Sequence, residues 1–223
     1  MQLLCRQGVR TATGQQTTGV KEGCMITIDY PHMGLNDERA PVFVQMWNTW
    51  KVLKTDTKQH IVDWTATVAR STSAGKLASI VICCHGAPGY LALGDGIGIG
   101  DVSLFKAWQG LVDKVWIRAC LVARIVTSDT LKEGDGSFIS GLGMSGDGHQ
   151  FCSELAKAIK CYLVVGTELQ VSNSLILPYG KLDTYEGLVL SYGPDGTITW
   201  SKRYPSVRNA NPKTMTADNP NRE

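Results

Sequence analysis

The sequence lacks several features that would assign it to a class of protein. No uninterrupted apolar run approaches the roughly 18 residues of a membrane-spanning helix. The start, MQLLCRQGVRTATG, has an apolar stretch too short for the core of a secretory signal peptide. Lysine and arginine total 22 and aspartate and glutamate total 20, a net charge of +2. This charge is too balanced to indicate binding to nucleic acid or to an anionic membrane.

Paired cysteine motifs are also missing. The chain has seven cysteines with irregular spacing and contains no CxxC, so neither a zinc ribbon nor a thioredoxin-type site is indicated. Cys83 and Cys84 stand side by side in an apolar run, where free thiols act as small buried hydrophobes. We therefore expect a reducing compartment, the cytoplasm, and predict no metal and no cofactor. Delivery as an effector without a cleavable signal peptide stays open.

The chain has enough apolar residues for one large domain. Of 223 residues, 43% are hydrophobic and 19% are charged, as in globular proteins with a packed core. Residues 1–24 are polar and rich in glycine and threonine, which indicates a loosely attached arm. Residues after Pro205 lack a core pattern, which indicates a flexible tail. The predicted domain therefore covers residues 25–204, between an arm at 1–24 and a tail at 205–223.

Strand and helix patterns alternate along the predicted domain. The predicted strands are MITIDY at 25–30, LASIVICC at 77–84, VWIRAC at 115–120 and CYLVVGTELQV at 161–171, and residues 184–204 indicate a hairpin turning on GPDG. Helices are predicted over 56–69, 103–114 and 149–160, whereas 31–41 is predicted as loop and 43–54 fits a strand or a helix. This alternation predicts a three-layer α/β/α sandwich, with a mainly parallel central sheet and helices on both faces.

Two predicted strands end at residues capable of covalent chemistry. LASIVICC is followed by His85 and Gly86, and VWIRAC ends on Cys120. With one predicted helix between them, the strands are expected to be neighbours, so both residues should lie at the carboxyl edge of the sheet. A thiol attacks a carbonyl as thiolate and needs a nearby base, and a histidine can protonate the leaving amine. The backbone N–H groups of Gly86 and Cys120 can stabilise an oxyanion.

This pattern resembles the caspase/clostripain superfamily of cysteine peptidases, in which a hydrophobic strand followed by His-Gly precedes a helix and a second strand ending in Ala-Cys or Gly-Cys. The matching residues are SIVICC followed by His85-Gly86 and VWIR followed by Ala119-Cys120, and the resemblance covers about residues 60–170. It implies a caspase-like fold and a cysteine endopeptidase acting on a protein or peptide substrate. His85 would be the general acid/base and Cys120 the nucleophile, with the amides of Cys120 and Gly86 as the oxyanion hole.

The sequence departs from the family pattern in two places. The histidine and the cysteine are 35 residues apart, against about 50 in caspases. Cys120 is followed by the apolar Leu121-Val122-Ala123, where family members often have a polar or glycine-containing turn. Two alternatives therefore remain: a catalytically inactive caspase-like module acting through protein–protein contacts, and a toxin or effector hydrolase on the same fold.

The resemblance also bears on substrate preference and activation. The residue two before the cysteine often lines the S1 pocket in this superfamily, and here it is Arg118, whose planar guanidinium suits a carboxylate. We therefore predict an acidic P1 residue, with a salt-bridged arginine at a strand end as the alternative. The loop at 124–148 holds Asp129, Asp135 and Asp147, and caspases are cleaved in this region during activation, so self-processing is a further hypothesis.

Other motifs fit less well. Residues 141–146, GLGMSG, match GxGxxG but follow a polar loop rather than the first strand, which disfavours dinucleotide binding. HGAPG at 85–89 is similar to the oxyanion loop of α/β-hydrolases, but GMSGD at 143–147 fails as the GxSxG that those enzymes need. A metal site of Cys84, His85 and Cys120 lacks a fourth clustered ligand.

Overall fold

The computed structural model describes residues 25–132, 136–141, 143–170 and 175–206. The predicted arm and almost all of the predicted tail lie outside these residues, so the domain boundaries stay predictions. The strands of the described part are β1 (Ile26–Thr27), β2 (His32–Asp37), β3 (Val42–Phe43), β4 (Asn48–Val52), β5 (Ser79–Cys83), β6 (His85–Ala87), β7 (Tyr90–Ala92), β8 (Lys114–Arg118), β9 (Tyr162–Gly166), β10 (Leu175–Ile176), β11 (Lys181–Leu182), β12 (Leu188–Tyr192) and β13 (Ile198–Arg203). Its helices are α1 (Lys58–Ser71), α2 (Gly136–Gly141), α3 (Gly148–Ile159) and the 3₁₀ helices Ile99–Trp108 and Thr130–Lys132.

Seven of these strands form a mixed central sheet in the order β13-β12-β9-β8-β5-β2-β4. The strands from β9 to β4 run parallel to one another, and β12 and β13 extend the sheet as an antiparallel hairpin. At the centre, β5 reads SIVIC and is buried at every position, as expected of a strand covered on both faces. The predicted α/β class, the mainly parallel sheet and the hairpin after residue 184 are confirmed.

The helices α1 and α3 and the longer 3₁₀ helix pack on one face of the sheet. One hydrophobic cluster joins Ile61 of α1, Trp108 of the longer 3₁₀ helix and Phe151 of α3 to the sheet side chains Ile80 and Ile82. The connections from β4 to β5, from β5 to β8 and from β8 to β9 all move in the same direction along the sheet. Since such crossovers are right-handed, they place their helices on the same face.

The opposite face of the sheet is covered by loops and short strands. Its cluster pairs the sheet side chains Val81 and Cys83 with Val44 and Met46 from the segment after β3, and with Leu182 of β11. Two small ladders, β1 with β11 and β3 with β10, belong to this cover. For the described residues, the prediction of helices on both faces, and hence of a three-layer sandwich, is therefore wrong.

The prediction of a loop at 31–41 is also wrong, because β2 lies inside the sheet and is buried throughout. Its polar side chains bind the segment that covers the second face. Asn36 donates from Nδ2 to the Val44 carbonyl at 3.0 Å and accepts the Val44 N–H at 2.8 Å, and His32 Nδ1 accepts the Trp47 N–H at 2.9 Å. Polar residues in β2 therefore mark buried hydrogen bonds rather than exposure to solvent.

The remaining helix predictions have mixed outcomes. The helix expected at 103–114 is instead the 3₁₀ helix Ile99–Trp108, and 43–54 contains β4 and the last residue of β3 rather than a helix. The helix expected at 149–160 is α3, and Asp147 caps it by accepting the Gln150 N–H. No helix of the described residues is long and apolar enough to cross a membrane.

Candidate active site

The candidate site lies where the parallel strands β5 and β8 end side by side. Cys83, the last residue of β5, pairs with Arg118, the last residue of β8, and the Cys84 N–H donates to the Arg118 carbonyl at 3.4 Å. His85 lies two residues after the end of β5, and Cys120 lies two residues after the end of β8. The structure therefore brings the two residues to the same edge of the sheet, in adjacent loops.

The position of Gly86 ties these two loops together. A Cβ built on Gly86 would collide with the carbonyl oxygen of Cys120 and would lie 2.7 Å from Cγ2 of Val122. The close approach therefore requires glycine at this position. In the β6–β7 hairpin, Gly86 lies opposite Leu91, whose N–H and C=O both bond to Ile97. Because the main-chain groups of Leu91 are directed at Ile97, the Gly86 N–H does not donate to Leu91.

The imidazole of His85 is exposed to solvent and held by one main-chain contact. Its Nε2 lies 2.9 Å from the carbonyl oxygen of Arg39. A carbonyl oxygen only accepts hydrogen bonds, so Nε2 must carry the proton in this contact. In the neutral ring, the other nitrogen, Nδ1, is then the one that can take up a proton.

The thiol of Cys120 is only partly exposed and is held by the main chain of Gln170. The Gln170 N–H donates to Sγ at 3.4 Å, and Sγ lies 3.8 Å from the Gln170 carbonyl oxygen. Burial raises the pKa of the Cys120 thiol above its usual value, as does the nearby charge of Glu186, while the Gln170 N–H and the positive charge of Arg118 act in the opposite direction. The thiol therefore exists in its protonated form at neutral pH in this conformation.

The residue after the cysteine has an unusual backbone conformation. Leu121 has φ of 64° and is fully buried, and its N–H donates to the Glu168 carbonyl at 3.1 Å. A non-glycine residue with positive φ is strained, and such strain persists only where the surrounding structure imposes it. Val122 and Ala123 are buried as well. The apolar Leu-Val-Ala sequence after Cys120 therefore serves the core.

Arg118 is an almost fully buried cation surrounded by acidic and amide groups. Its Nε and Nη2 donate to the two carboxylate oxygens of Asp183 at 2.8 Å each, and Nη1 donates to Oε1 of Gln170 at 2.9 Å. Glu186 Oε2 lies 3.4 Å from Nη2. These acceptors keep the pKa of the guanidinium above its ordinary value despite the opposing effect of burial. Arg118 is thus the salt-bridged arginine at a strand end of the second prediction, and its S1 role stays a prediction.

A small pocket of about 50 Å³ joins the ends of four parallel strands. Its lining comes from the last residues of β5 and β8 and from the segments that follow β2, β5, β8 and β9, and consists of Ala40, Pro41, Val42, Cys83, Cys84, His85, Arg118, Ala119, Cys120 and Gln170. The next sheet strand after β2 is β4, which lies on one side of β2. The strand after that, β5, lies on the other side of β2. This reversal of direction is the point at which open α/β sheets bind ligands.

Three residues at the site were not predicted from the sequence. Gln170 fell within the strand expected at 161–171, whereas β9 ends at Gly166. Arg39 fell in the expected loop at 31–41, and a recognised β2 would have pointed to it as a residue beyond a strand end. Asp183 carries no sequence signal that links it to Arg118, 65 positions away.

The described residues contain no group of three or more histidine, cysteine, aspartate or glutamate side chains that could hold a metal ion.

Comparison with protein-family models, curated proteins and solved structures found no match.

Proposed function

We propose that this protein is a cysteine endopeptidase with a caspase-like order of strands and site residues, in which Cys120 is the nucleophile and His85 is the general acid/base. One observation carries the proposal: His85 and Cys120 follow paired neighbouring strands and line the same pocket, and Gly86 packs against the Cys120 peptide group. The order of strand, His-Gly, connecting helix and strand followed by Ala-Cys supports the likeness to caspases.

The chemistry begins with transfer of the Cys120 thiol proton to His85. Because Nε2 faces the Arg39 carbonyl, Nδ1 accepts this proton while the sulfur attacks the carbonyl carbon of the scissile peptide. The imidazolium returns the proton to the leaving amine as the C–N bond breaks, which leaves a thioester on Cys120. Water then attacks the thioester carbon and gives a proton to His85. The C–S bond breaks, the peptide acid leaves, and the imidazolium returns its proton to the Cys120 sulfur.

The negative oxygen of each tetrahedral intermediate needs hydrogen-bond donors. The backbone N–H groups of Gly86 and Cys120 belong to loops that touch each other, which supports their role as a pair of donors. Glycine at position 86 also lets the substrate main chain approach without meeting a side chain.

Substrate binding requires a change at the pocket. Its volume of about 50 Å³ is far below the roughly 300 Å³ or more of ordinary ligand sites. Gln170, which holds the thiol through its main chain, must move for a peptide to reach Cys120. Activation of the enzyme would therefore act on the Gln170 contact, and self-processing in the loop at 124–148 is the route that the resemblance implies.

The same small pocket favours one second candidate function. A protein that keeps the fold but binds partners without cleaving them would need neither an open pocket nor a reactive thiol. The raised pKa of Cys120 and its contact with Gln170 are compatible with that reading. The two candidates differ in whether peptide bonds are cleaved, which a direct assay decides.

The assay compares the wild-type protein with Cys120→Ala, His85→Ala and the control Cys161→Ala in a library of peptides analysed by mass spectrometry. Cys161 is buried directly before β9 and is not among the pocket residues. We expect cleavage by the wild type and the control, none by Cys120→Ala, and a loss of at least about a hundredfold for His85→Ala. Cleavage that persists in Cys120→Ala contradicts the proposal, and a folded wild type that cleaves nothing supports the binding module.

The cellular setting is part of the proposal. The cysteines at 83, 84, 120, 152 and 161 are all free thiols in the structure, which supports a reducing compartment such as the cytoplasm. The partner proposed for the site is a protein or peptide substrate.

A further inference from the structure

We infer that Asp37 is a positioning residue that acts through Arg39 to set the tautomer and orientation of His85. This inference rests on the proposed function, because it assigns His85 the role of acid/base. The aspartate lies at the carboxyl end of β2, next to β5, which leads to His85.

Asp37 is a buried carboxylate with several hydrogen-bond donors. Its side chain has no exposed surface, so it requires strong compensation. Oδ1 accepts from the N–H and the Nε of Arg39 at 3.0 and 2.7 Å. Oδ2 accepts from the Nη2 of Arg39 at 2.7 Å and from the N–H of Gly94 at 2.9 Å. These bonds fix both the main chain and the guanidinium of Arg39.

Arg39 in turn holds His85 from two sides. Its carbonyl oxygen lies 2.9 Å from His85 Nε2. Its Nη2 lies 2.9 Å from the carbonyl oxygens of Ala92 and Gly94, and Ala92 is the residue of β7 that pairs with His85. The side chain of His85 and the strand opposite it are therefore both attached to Arg39.

The consequence for His85 concerns which nitrogen carries the proton. An acid/base histidine needs an orienting group on the nitrogen that faces away from the reacting atoms. Here that group is a main-chain carbonyl, which no substitution removes. Its position depends on the bidentate pair between Asp37 and Arg39, and that pair can be changed by mutation.

The test reads the tautomer directly with ¹⁵N NMR of the four imidazole rings at alkaline pH, with His85 assigned through His85→Gln. The wild type should show His85 protonated at Nε2. In Asp37→Asn, which keeps the shape of the side chain, we expect a mixture of tautomers. If Asp37→Asn does not fold, Arg39→Gln decides by the same criterion, because Arg39 is partly exposed.

The matched control is Asp101→Asn. Asp101 also accepts a glycine N–H, that of Gly98, and pairs with a cation, Lys58, but has no contact with His85. It should leave the His85 signals unchanged. A folded variant at position 37 or 39 that retains the pure Nε2–H tautomer overturns the inference.

Kinetics add a second readout when the wild type is active. Asp37→Asn should lower kcat by about tenfold to a hundredfold with little change in KM, since Asp37 lies behind the histidine rather than in the pocket lining. The two failures are distinguishable. A wild type without activity removes the proposed function, while the tautomer of His85 still decides the role of Asp37.

Discussion

Gly86 and Cys120 are in such close contact that no side chain fits between them. A Cβ on Gly86 would meet the Cys120 carbonyl oxygen, Cγ2 of Val122 at 2.7 Å and the Cβ of Ala119 at 3.1 Å. The loop that bears His85 is therefore fixed against the loop that bears Cys120. Both the stability of the fold and the geometry of the candidate site depend on this contact.

Gly86→Ala should consequently impair both properties. We expect the free energy of unfolding to fall by about 1–3 kcal/mol because the loops must separate, and kcat/KM to fall by about a hundredfold because His85 is displaced. The control is Gly100→Ala, where a Cβ meets nothing within 4 Å. Urea denaturation and peptide cleavage measure the two effects, and wild-type values for Gly86→Ala would contradict the contact.

Cys120 should be the most reactive thiol of the described residues. It is partly exposed, whereas Cys83, Cys84, Cys152 and Cys161 are buried, and burial raises the pKa of Cys83 and of Cys161 to about 12. In a Cys5→Ser, Cys24→Ser background, alkylation followed by mass spectrometry should modify Cys120 at least about tenfold faster than the others.

The pH dependence of this alkylation follows from the raised pKa of Cys120. Only the thiolate reacts, and because burial raises the pKa of Cys120 above that of an ordinary thiol, the thiol is mostly protonated at neutral pH. The rate should therefore rise by about tenfold per pH unit between pH 7 and 9. A plateau below pH 8 would mean that the resting protein already holds an imidazolium–thiolate pair.

Asp183 should compete with an acidic P1 side chain for Arg118. Because Asp183 takes two of the guanidinium hydrogen bonds, Asp183→Asn should raise kcat/KM for Asp at P1 relative to Ala at P1, by about tenfold if 1.4 kcal/mol of competition is removed. Peptides that differ only at P1 measure this ratio. Efficient wild-type cleavage after Lys or Arg would contradict the acidic preference.

The ion pair of Asp37 should make stability depend on acid pH. Hydrogen bonds from Arg39 and Gly94 hold the pKa of Asp37 below its usual 3.8, although burial acts in the opposite direction. A carboxyl whose pKa is lower in the folded state stabilises the fold above the pKa of the unfolded chain, and this stabilisation is lost as the pH falls through the folded value.

Asp37→Asn should therefore destabilise the protein by about 3 kcal/mol at pH 6, and by clearly less at pH 3. Urea denaturation of both proteins at the two pH values gives this difference. Asp101→Asn, which breaks a partly exposed pair with Lys58, should cost less than about 1 kcal/mol. An equal effect of Asp37→Asn at both pH values would refute the linkage.

If self-processing occurs, Asp129 is a better target than Asp147. The Asp129 side chain is 85% exposed, whereas Asp147 caps α3 and accepts the Gln150 N–H. Asp135 lies outside the described residues. Intact-mass measurements should show a cut that Asp129→Ala removes and that Cys120→Ala prevents. An unchanged mass after long incubation would count against self-processing.

The sequence predicts β5, β8 and β9 because their apolar runs are long and buried on both faces, and it predicts His85 and Cys120 because they follow two of these runs. It does not predict β2, because His32 and Asn36 are polar residues whose buried side chains form hydrogen bonds with the segment after β3. Asp37 and Arg39, at and just beyond the end of β2, are therefore not predicted either. Tertiary contacts of this kind leave no periodic pattern in a single sequence.

The strand pairs of this fold have a consequence for a chain that is cleaved after Asp129. β1 pairs with β11, β3 pairs with β10, and β8 pairs with β9, so each ladder joins a segment before Asp129 to one after it. Fragments severed at that residue would each contribute strands to one sheet and would remain a non-covalent heterodimer. Such a nick would appear as two bands on a denaturing gel and as a single peak of unchanged size on gel filtration.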